Sequence, residues 1–200
     1  MHEKAEVFLS GQDGDWAWLI QTVGPCNFEP KHQQAPFESL VRAVAFQQLH
    51  AKAGEAIIGR LCALFSDTFP TPEALLSADS EVLRGCGFSY RKIETLQGIA
   101  QGAVDGLVPT YADAQTMSDA DLIAQLTQLK GIGRWTVEML MMFNLGRMDI
   151  LPTTDFGIVE GYKRLKKLEF APKPKMMEKI GEDWQPHRTV ASWYLWRVPK

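Results

Sequence analysis

The chain has 200 residues, 46% hydrophobic and 22% charged, a globular composition that excludes an intrinsically disordered chain. No apolar run approaches the roughly 20 residues that span a bilayer, and the polar start Met1-His2-Glu3-Lys4-Ala5-Glu6 is not a secretory signal. Net charge is −3, but residues 1–155 carry 11 Lys/Arg against 19 Asp/Glu, net −8, whereas 156–200 carry 10 against 5, net +5.

An acidic body with a basic C-terminal quarter fits either a solvated lysine-rich helix face or a surface for a polyanion, and charge alone leaves both open. Cys26, Cys62 and Cys86 are widely spaced with no CxxC pair, which argues against a disulfide framework and a sulfur-ligated metal site and for a reducing, cytoplasmic setting. The length suits one domain or two small helical lobes, and it is enough to bury roughly seven-tenths of the unfolded surface.

In chain order, the first 30 residues, with Trp16, Trp18 and Pro25, predict a packed but irregular arm. Phe37 to Gln48 places Phe37, Leu40, Val41, Val44 and Ala45 at helical spacing, and Lys52 to Phe65 does the same with Ile57, Ile58, Leu61 and Leu64. Thr71-Pro72 opens a short helix. Ser80 begins another, which Gly85 and Gly87 end. Ser89 caps a longer helix from Tyr90 to about Val104, carrying Ile93, Leu96 and Ile99. Ser118, with Asp121 three residues on, opens Leu122 to Leu129. Trp135 to Leu145, Gly157 to Lys167, Met176 to about Asp183 and His187 to Val198 complete the set. The β period of two appears nowhere, so the fold class is all-α, with no repeat and no low-complexity tract.

The chemistry lies between Leu126 and Tyr162. Lys130-Gly131-Ile132-Gly133 is a turn too tight for a Cβ at either glycine, and it leads into a helix whose first turn holds Thr136. Such a turn is either a plain αα-connection with a glycine C-cap or a place where backbone N–H groups meet an anion. A phosphate diester fits the second geometry without a positive side chain, so an acidic protein can still grip DNA. Twenty-two residues after Gly133, Leu151-Pro152-Thr153-Thr154-Asp155 places a carboxylate at the mouth of the next helix. Thr153 or Thr154 can cap there. Asp155 is then either an N-cap, stabilised by the helix dipole, or a carboxylate held ionised beside a reacting centre.

Leu129-Lys130-Gly131-Ile132-Gly133-Arg134-Trp135-Thr136 followed by Leu151-Pro152-Thr153-Thr154-Asp155 resembles the helix-hairpin-helix (HhH-GPD) DNA glycosylases, and within them the 3-methyladenine DNA glycosylase II (AlkA-like) branch. Ala45-Phe46-Gln47-Gln48-Leu49-His50 with Lys52-Ala53, Gly87-Phe88-Ser89-Tyr90-Arg91-Lys92, and Trp184-Gln185-Pro186-His187-Arg188 through Trp193-Tyr194-Leu195-Trp196 extend the likeness over about residues 36–200. The chain is too short for the extra N-terminal sheet domain of some AlkA-type enzymes.

The resemblance implies one catalytic core over 1–200. Two helical lobes, about 36–130 and about 131–200 with the arm 1–35, would flank a DNA-binding cleft, and the helix-hairpin-helix would lie at about 122–145. It implies a monofunctional hydrolase acting on alkylated purines in duplex DNA by base flipping, in base excision repair; a noncatalytic helix-hairpin-helix DNA-binding module is the alternative. Asp155 is the implied catalytic carboxylate, and Trp135, Trp196 and Met139 the implied base pocket. At Met139 this chain departs from an AlkA-type pocket tyrosine. For Trp196, with Trp193 three residues before it, the alternative is ordinary core packing. Leu49 is the implied intercalating wedge, with Gln48 and His50 probing neighbouring bases; His50 reads equally as a surface histidine. Gly131, Gly133 and Thr136 are the implied phosphate-binding amides, and the carbonyls of Thr127, Leu129 and Ile132 the seat of a monovalent Na+ or K+. Tyr90, Arg91 and Lys92 touch phosphate or form a solvated face. Superfamily members that cut the DNA backbone carry a lysine where this chain has Trp135, and cluster-bearing members place four cysteines after the last helix. No lyase activity, no iron–sulfur cluster and no required cofactor follow. The implied protein is a monomer, not membrane-bound, and cytoplasmic on the nucleoid in a bacterium or nuclear in a eukaryote.

Overall fold

Thirteen α-helices and one 3-10 turn form the regular structure of the described residues, with no strand among them. The computed structural model describes residues 2–31 and 34–200; Met1, His32 and Gln33 of the expected arm lie outside the described residues. The helices are α1 (Glu3–Ser10), α2 (Gly14–Val23), α3 (Pro36–Phe46), α4 (Ala51–Leu64), α5 (Pro72–Ser77), α6 (Ser80–Gly85), α7 (Tyr90–Val104), α8 (Tyr111–Thr116), α9 (Asp119–Leu126), α10 (Arg134–Phe143), α11 (Phe156–Leu165), α12 (Pro174–Gly181) and α13 (Arg188–Leu195), with the 3-10 turn at Glu182–Trp184.

Two compact units divide the chain: residues 32–140, and residues 1–31 together with 141–200. The expected border at 130/131 is thus displaced to 140/141, within α10. The turn belongs with the helices before it: Lys130 pairs with Glu94, Gly131 lies against Thr95, and a Cβ at Gly102 would meet Leu129.

In the 32–140 unit, α3 buries Phe37, Leu40, Val41, Val44 and Ala45, and α7 buries Ile93, Leu96, Ile99 and Ala100. The two helices pack on each other, and α5 packs on α7. Each such aliphatic side chain contributes about 1.5–3 kcal/mol on burial. The Ser89 hydroxyl accepts the Lys92 N–H at 3.3 Å and sets the start of α7. Ser118 does the same for Asp121 at 3.1 Å, so α9 begins at Asp119; the helix ends at Leu126, short of the expected Leu129. Asp79, not Ser80, caps α6, accepting from Glu81 N–H at 2.7 Å. The six-residue α8 has no counterpart among the expected helices, being too short to show a period.

In the other unit, the expected irregular arm is two helices. Asp13 caps α2 by accepting the N–H groups of Asp15 and Trp16 at 3.0 and 3.1 Å. Trp16 is buried edge-on against Trp184, with ring centroids 5.2 Å apart. The centre is α13, whose residues Thr189 to Leu195 are all buried, packed by α1, α2 and α11. Gly161 lets α11 approach it, since a Cβ there would run into the Leu195 carbonyl. Three polar anchors lay the stretch after α10 along the start of α13. The Arg188 guanidinium clasps Asp149 through Nε and Nη2 at 2.7 and 2.9 Å. Thr189 Oγ1 donates to the Arg147 carbonyl at 2.7 Å and accepts from Ile150 N–H at 3.1 Å. Ser192 Oγ lies 3.3 Å from the Ile150 carbonyl. This lacing, with Leu151, Pro152 and Thr153 buried behind it, sets the position of Asp155.

Candidate active site

Pro152 begins a turn that the Asp155 N–H closes on the Pro152 carbonyl at 3.0 Å. Asp155 itself, and neither Thr153 nor Thr154, is the N-cap of α11: its Oδ1 accepts the Ile158 N–H at 2.9 Å. The same oxygen accepts the indole N–H of Trp196 at 2.8 Å. The capping and functional readings of this carboxylate are therefore compatible. A half-buried anion sits at the positive end of a helix dipole, with one oxygen fixed by two N–H donors.

Trp196 follows the last residue of α13 and is half-buried. Its ring stacks on Phe143 at 5.9 Å and 25°, and Phe143 is 40% exposed. Trp193, by contrast, is the core residue of the pair: it is 5% exposed and lies edge-on to Tyr194 at 4.9 Å. Gly157 makes the Asp155–Trp196 pair possible. A Cβ there would stand 2.8 Å from Trp196 Cδ1 and 3.2 Å from Asp155 Oδ1, nearer than packed atoms tolerate. Asp155, Gly157, Trp196 and Phe143 thus form one constellation, two of whose members, Gly157 and Phe143, carry no expected site role. Chemically, it offers a fixed negative charge beside an aromatic face.

The 32–140 unit holds the remaining expected residues. Gln48, Leu49 and His50 form the exposed connection between α3 and α4, with Leu49 41% exposed. Gln48 has φ +58, a left-handed backbone that costs a non-glycine residue roughly 1–3 kcal/mol and persists only where the surroundings enforce it. His50 occupies the N-cap position of α4, and its side chain makes no capping bond. Lys92 is partly buried and engaged by backbone. Its Nζ donates to the carbonyls of Ala45 and Gln47 at 3.0 and 2.9 Å, and burial pushes its ammonium below the usual lysine range. Tyr90 donates its hydroxyl to Glu81 Oε1 at 2.7 Å, with the Arg84 guanidinium 4.0 Å over its ring.

At the 131–133 turn the two glycines differ. Gly131 has φ +86, and a Cβ would lie 2.6 Å from Thr95 Oγ1. Gly133 has neither constraint, and a Cβ there meets nothing within 4 Å, so tightness does not explain that glycine. Ile132 N–H donates to the Leu129 carbonyl at 3.0 Å, and Thr136 N–H to the Gly133 carbonyl at 2.9 Å. The expected phosphate donor at Thr136 is thereby engaged within the turn. Lys130 pairs with Glu94 at 2.6 Å. Trp135, 43% exposed, stands in the first turn of α10, with half-buried Met139 one turn later. No group of three or more His, Cys, Asp or Glu suited to a metal ion occurs among the described residues.

Comparison with known proteins gives a consistent result. A family model described as HhH-GPD superfamily base excision DNA repair protein matches residues 41–187. DNA-3-methyladenine glycosylase 1 of Schizosaccharomyces pombe is 46% identical over 98% of this chain and 87% of its own length. Alkylbase DNA glycosidase-like protein mag2 of the same organism is 37% identical over 100% and 94%. The solved structure of the Schizosaccharomyces pombe 3-methyladenine DNA glycosylase (Mag1) in complex with abasic DNA superposes with a TM-score of 0.87, covering 97% of this chain and 95% of that one.

Proposed function

The chain belongs to the HhH-GPD superfamily of base excision DNA repair proteins, and from that premise we propose that it is a monofunctional DNA glycosylase of the 3-methyladenine type II class, which hydrolyses the N-glycosidic bond of alkylated purines. The observation that carries this reading is the Asp155 carboxylate, fixed through Oδ1 by Trp196 and Ile158 beside an aromatic stack.

Breaking the glycosidic bond moves positive charge onto the deoxyribose as C1′ becomes oxocarbenium-like. A preorganised carboxylate at the sugar stabilises that charge without having to reorganise. The N–H groups of Trp196 and Ile158 fix Oδ1 and hold its direction. The base departs with the bonding electron pair, and water supplies the oxygen that ends on C1′ and a proton to the medium. N-alkylated purines such as 3-methyladenine and 7-methylguanine are electron-poor or cationic. They leave readily and gain about 0.5–2 kcal/mol over an aromatic face, which is the role given to Trp135 and Trp196, with Met139 shaping the pocket. The target base must leave the stack first, at a cost of a few kcal/mol. Leu49 then fills the gap from the minor groove, flanked by Gln48 and His50.

The amides of Gly131 and Gly133, at the entrance of α10, take phosphate oxygens. The absence of a Cβ at Gly133 leaves the backbone open to that approach. Thr127, Leu129 and Ile132 offer backbone carbonyls, hard donors suited to Na+ or K+. The Leu129 oxygen, which already accepts the Ile132 N–H, keeps a second lone pair for the purpose. When bound, such an ion supplies positive charge between the acidic unit and a phosphate. With Trp135 where strand-cutting members carry lysine, this chain has no amine there for a Schiff base, and no iron–sulfur cluster or other cofactor enters the reading. The substrate is duplex DNA with damaged bases, attacked by a monomer wherever the genome lies, on the nucleoid or in the nucleus. No helix among the described residues is long and apolar enough to cross a membrane.

The test is incubation of the protein with methylated duplex DNA and chromatography of the released bases. Free methylpurine is expected, with strands that stay intact until hot alkali and no borohydride trapping. Absence of release from every lesion would leave a DNA-binding module; efficient nicking with trapping would contradict the water mechanism.

A further inference from the structure

The 47–50 loop and the 131–133 turn stand on one support, the helix α7. In its first turn Lys92 Nζ donates to the carbonyls of Ala45 and Gln47. Two residues on, Glu94 holds Lys130 at 2.6 Å. Thr95 then fills the space under Gly131 that a Cβ would need. The two loops also meet directly, Gln47 Nε2 donating to the Gly131 carbonyl at 3.5 Å. From the other side, the Phe46 ring packs so close to Gly54 that a Cβ there would lie 2.5 Å from Phe46 Cδ1. The loop between these anchors carries the left-handed Gln48.

The end of α3 leaves backbone carbonyls without helical partners and concentrates the negative end of its dipole. Those oxygens belong to the loop given the wedge role, where a polyphosphate backbone must approach. Two of them accept from Lys92, which can donate up to three bonds and cancels the local negative field.

We propose that Lys92 is a positioning residue that clamps the 47–50 loop onto α7 in fixed register with the 131–133 turn, so that seating a phosphate at the turn and driving Leu49 into the duplex are one rigid act. This rests on the glycosylase reading. A loop already ordered spends no binding energy on its own ordering, and that energy is available for opening the stack.

The test uses Lys92→Met, which keeps the stem and deletes the donors, and Lys92→Arg, which restores a cation. The Leu49 N–H, bonded to the Phe46 carbonyl at 3.1 Å, reports loop order by hydrogen exchange in the free protein. In Lys92→Met its exchange is expected to rise at least about tenfold. Single-turnover base release should fall about tenfold from fully paired lesions and less than about twofold from mismatched ones, which are the easiest to flip. Lys92→Arg should recover most of the paired-site rate. Unchanged Leu49 exchange, or equal losses on paired and mismatched sites, would overturn the assignment. No release by the wild type from any lesion would instead overturn the glycosylase reading, and the wedge role with it.

Discussion

At the scale of single residues, the site turns on what surrounds one carboxylate. Gly157 sits inside α11 with ordinary helical backbone, where alanine is the better helix former by about 1 kcal/mol. Its side-chain space, however, belongs to Trp196 and Asp155. Gly157→Ala is therefore expected to lower base release on the order of a hundredfold, the scale of a misplacement of about 1 Å, while the far-UV circular dichroism stays that of the wild type. A variant that retains wild-type rates would show that the indole and carboxylate do not need this geometry. The spacing marked Asp155 as a carboxylate at the mouth of a helix, and the structure shows it as the N-cap of α11; its catalytic role was implied by the family resemblance alone. Gly157 and Phe143 were not legible, since their roles come from an approach between α11, the end of α10 and α13 that no spacing encodes. Trp196 illustrates the same limit: the sequence left it open between core and site, and only packing separates it, half-buried past the end of α13, from the buried Trp193.

At the scale of elements, the two glycines of the 131–133 turn carry different demands. Gly131→Ala forces a Cβ onto Thr95 and a left-handed backbone that alone costs about 1–2 kcal/mol, so it should lower the melting temperature. Gly133→Ala meets no neighbour; it should melt like the wild type and lose duplex affinity, because its Cβ stands where a phosphate would approach. Melting curves and duplex titrations at one salt concentration distinguish the two, and identical behaviour of both variants would refute the division of labour. Most helices were legible from periodicity and caps, α7 to the residue. The errors have local causes. Ser118 starts α9 by its own capping bond, ahead of the hydrophobic stripe. α8 spans six residues, too few for a period. The N-terminal helices were hidden because Asp13 as a cap and Trp16 as a core residue are recognisable only once Trp184 is beside them. The backbone contacts of Lys92 were not legible, since a lysine in a first helical turn carries no sign that it reaches the end of α3.

At the scale of the whole molecule, the unit built from 1–31 and 141–200 is held partly by ionisable groups. Lys166 reaches Asp13 and Asp15 at 2.5 and 2.9 Å. Burial opposes ionisation of the Asp13 carboxyl, but the Lys166 ammonium and the Trp16 and Asp15 N–H groups outweigh it and hold Asp13 below its ordinary 3.8. A depressed carboxyl stabilises the fold above its unfolded pKa and loses that contribution as pH falls through the folded one. Tyr194, whose hydroxyl lies 2.9 Å from the Gly24 carbonyl and 3.2 Å from Glu6, is pushed above its ordinary 10.0 by burial and by the Glu6 charge. Burial works against the charge of Lys166, yet its two aspartates raise it above 10.5. Both raised groups contribute below their unfolded pKa values and lose that contribution as pH rises beyond them. The melting temperature should therefore hold between about pH 4 and 10 and fall on either side. Lys166→Met should lower the melting temperature at neutral pH and flatten the acid limb, because Asp13 is then no longer held below its unfolded pKa, and an acid limb as steep as that of the wild type would remove the triad from this account.

The most direct measurement of the central claim compares the wild type with Asp155→Asn on a duplex carrying 3-methyladenine or 7-methylguanine, with free base counted under single-turnover conditions and affinity for the same duplex measured in parallel. The expected outcome is a fall in base release on the order of 10²–10³-fold, as for loss of a preorganised electrostatic group, with binding retained. Equal release by the two proteins would contradict the role assigned to Asp155 and to the residues that hold it.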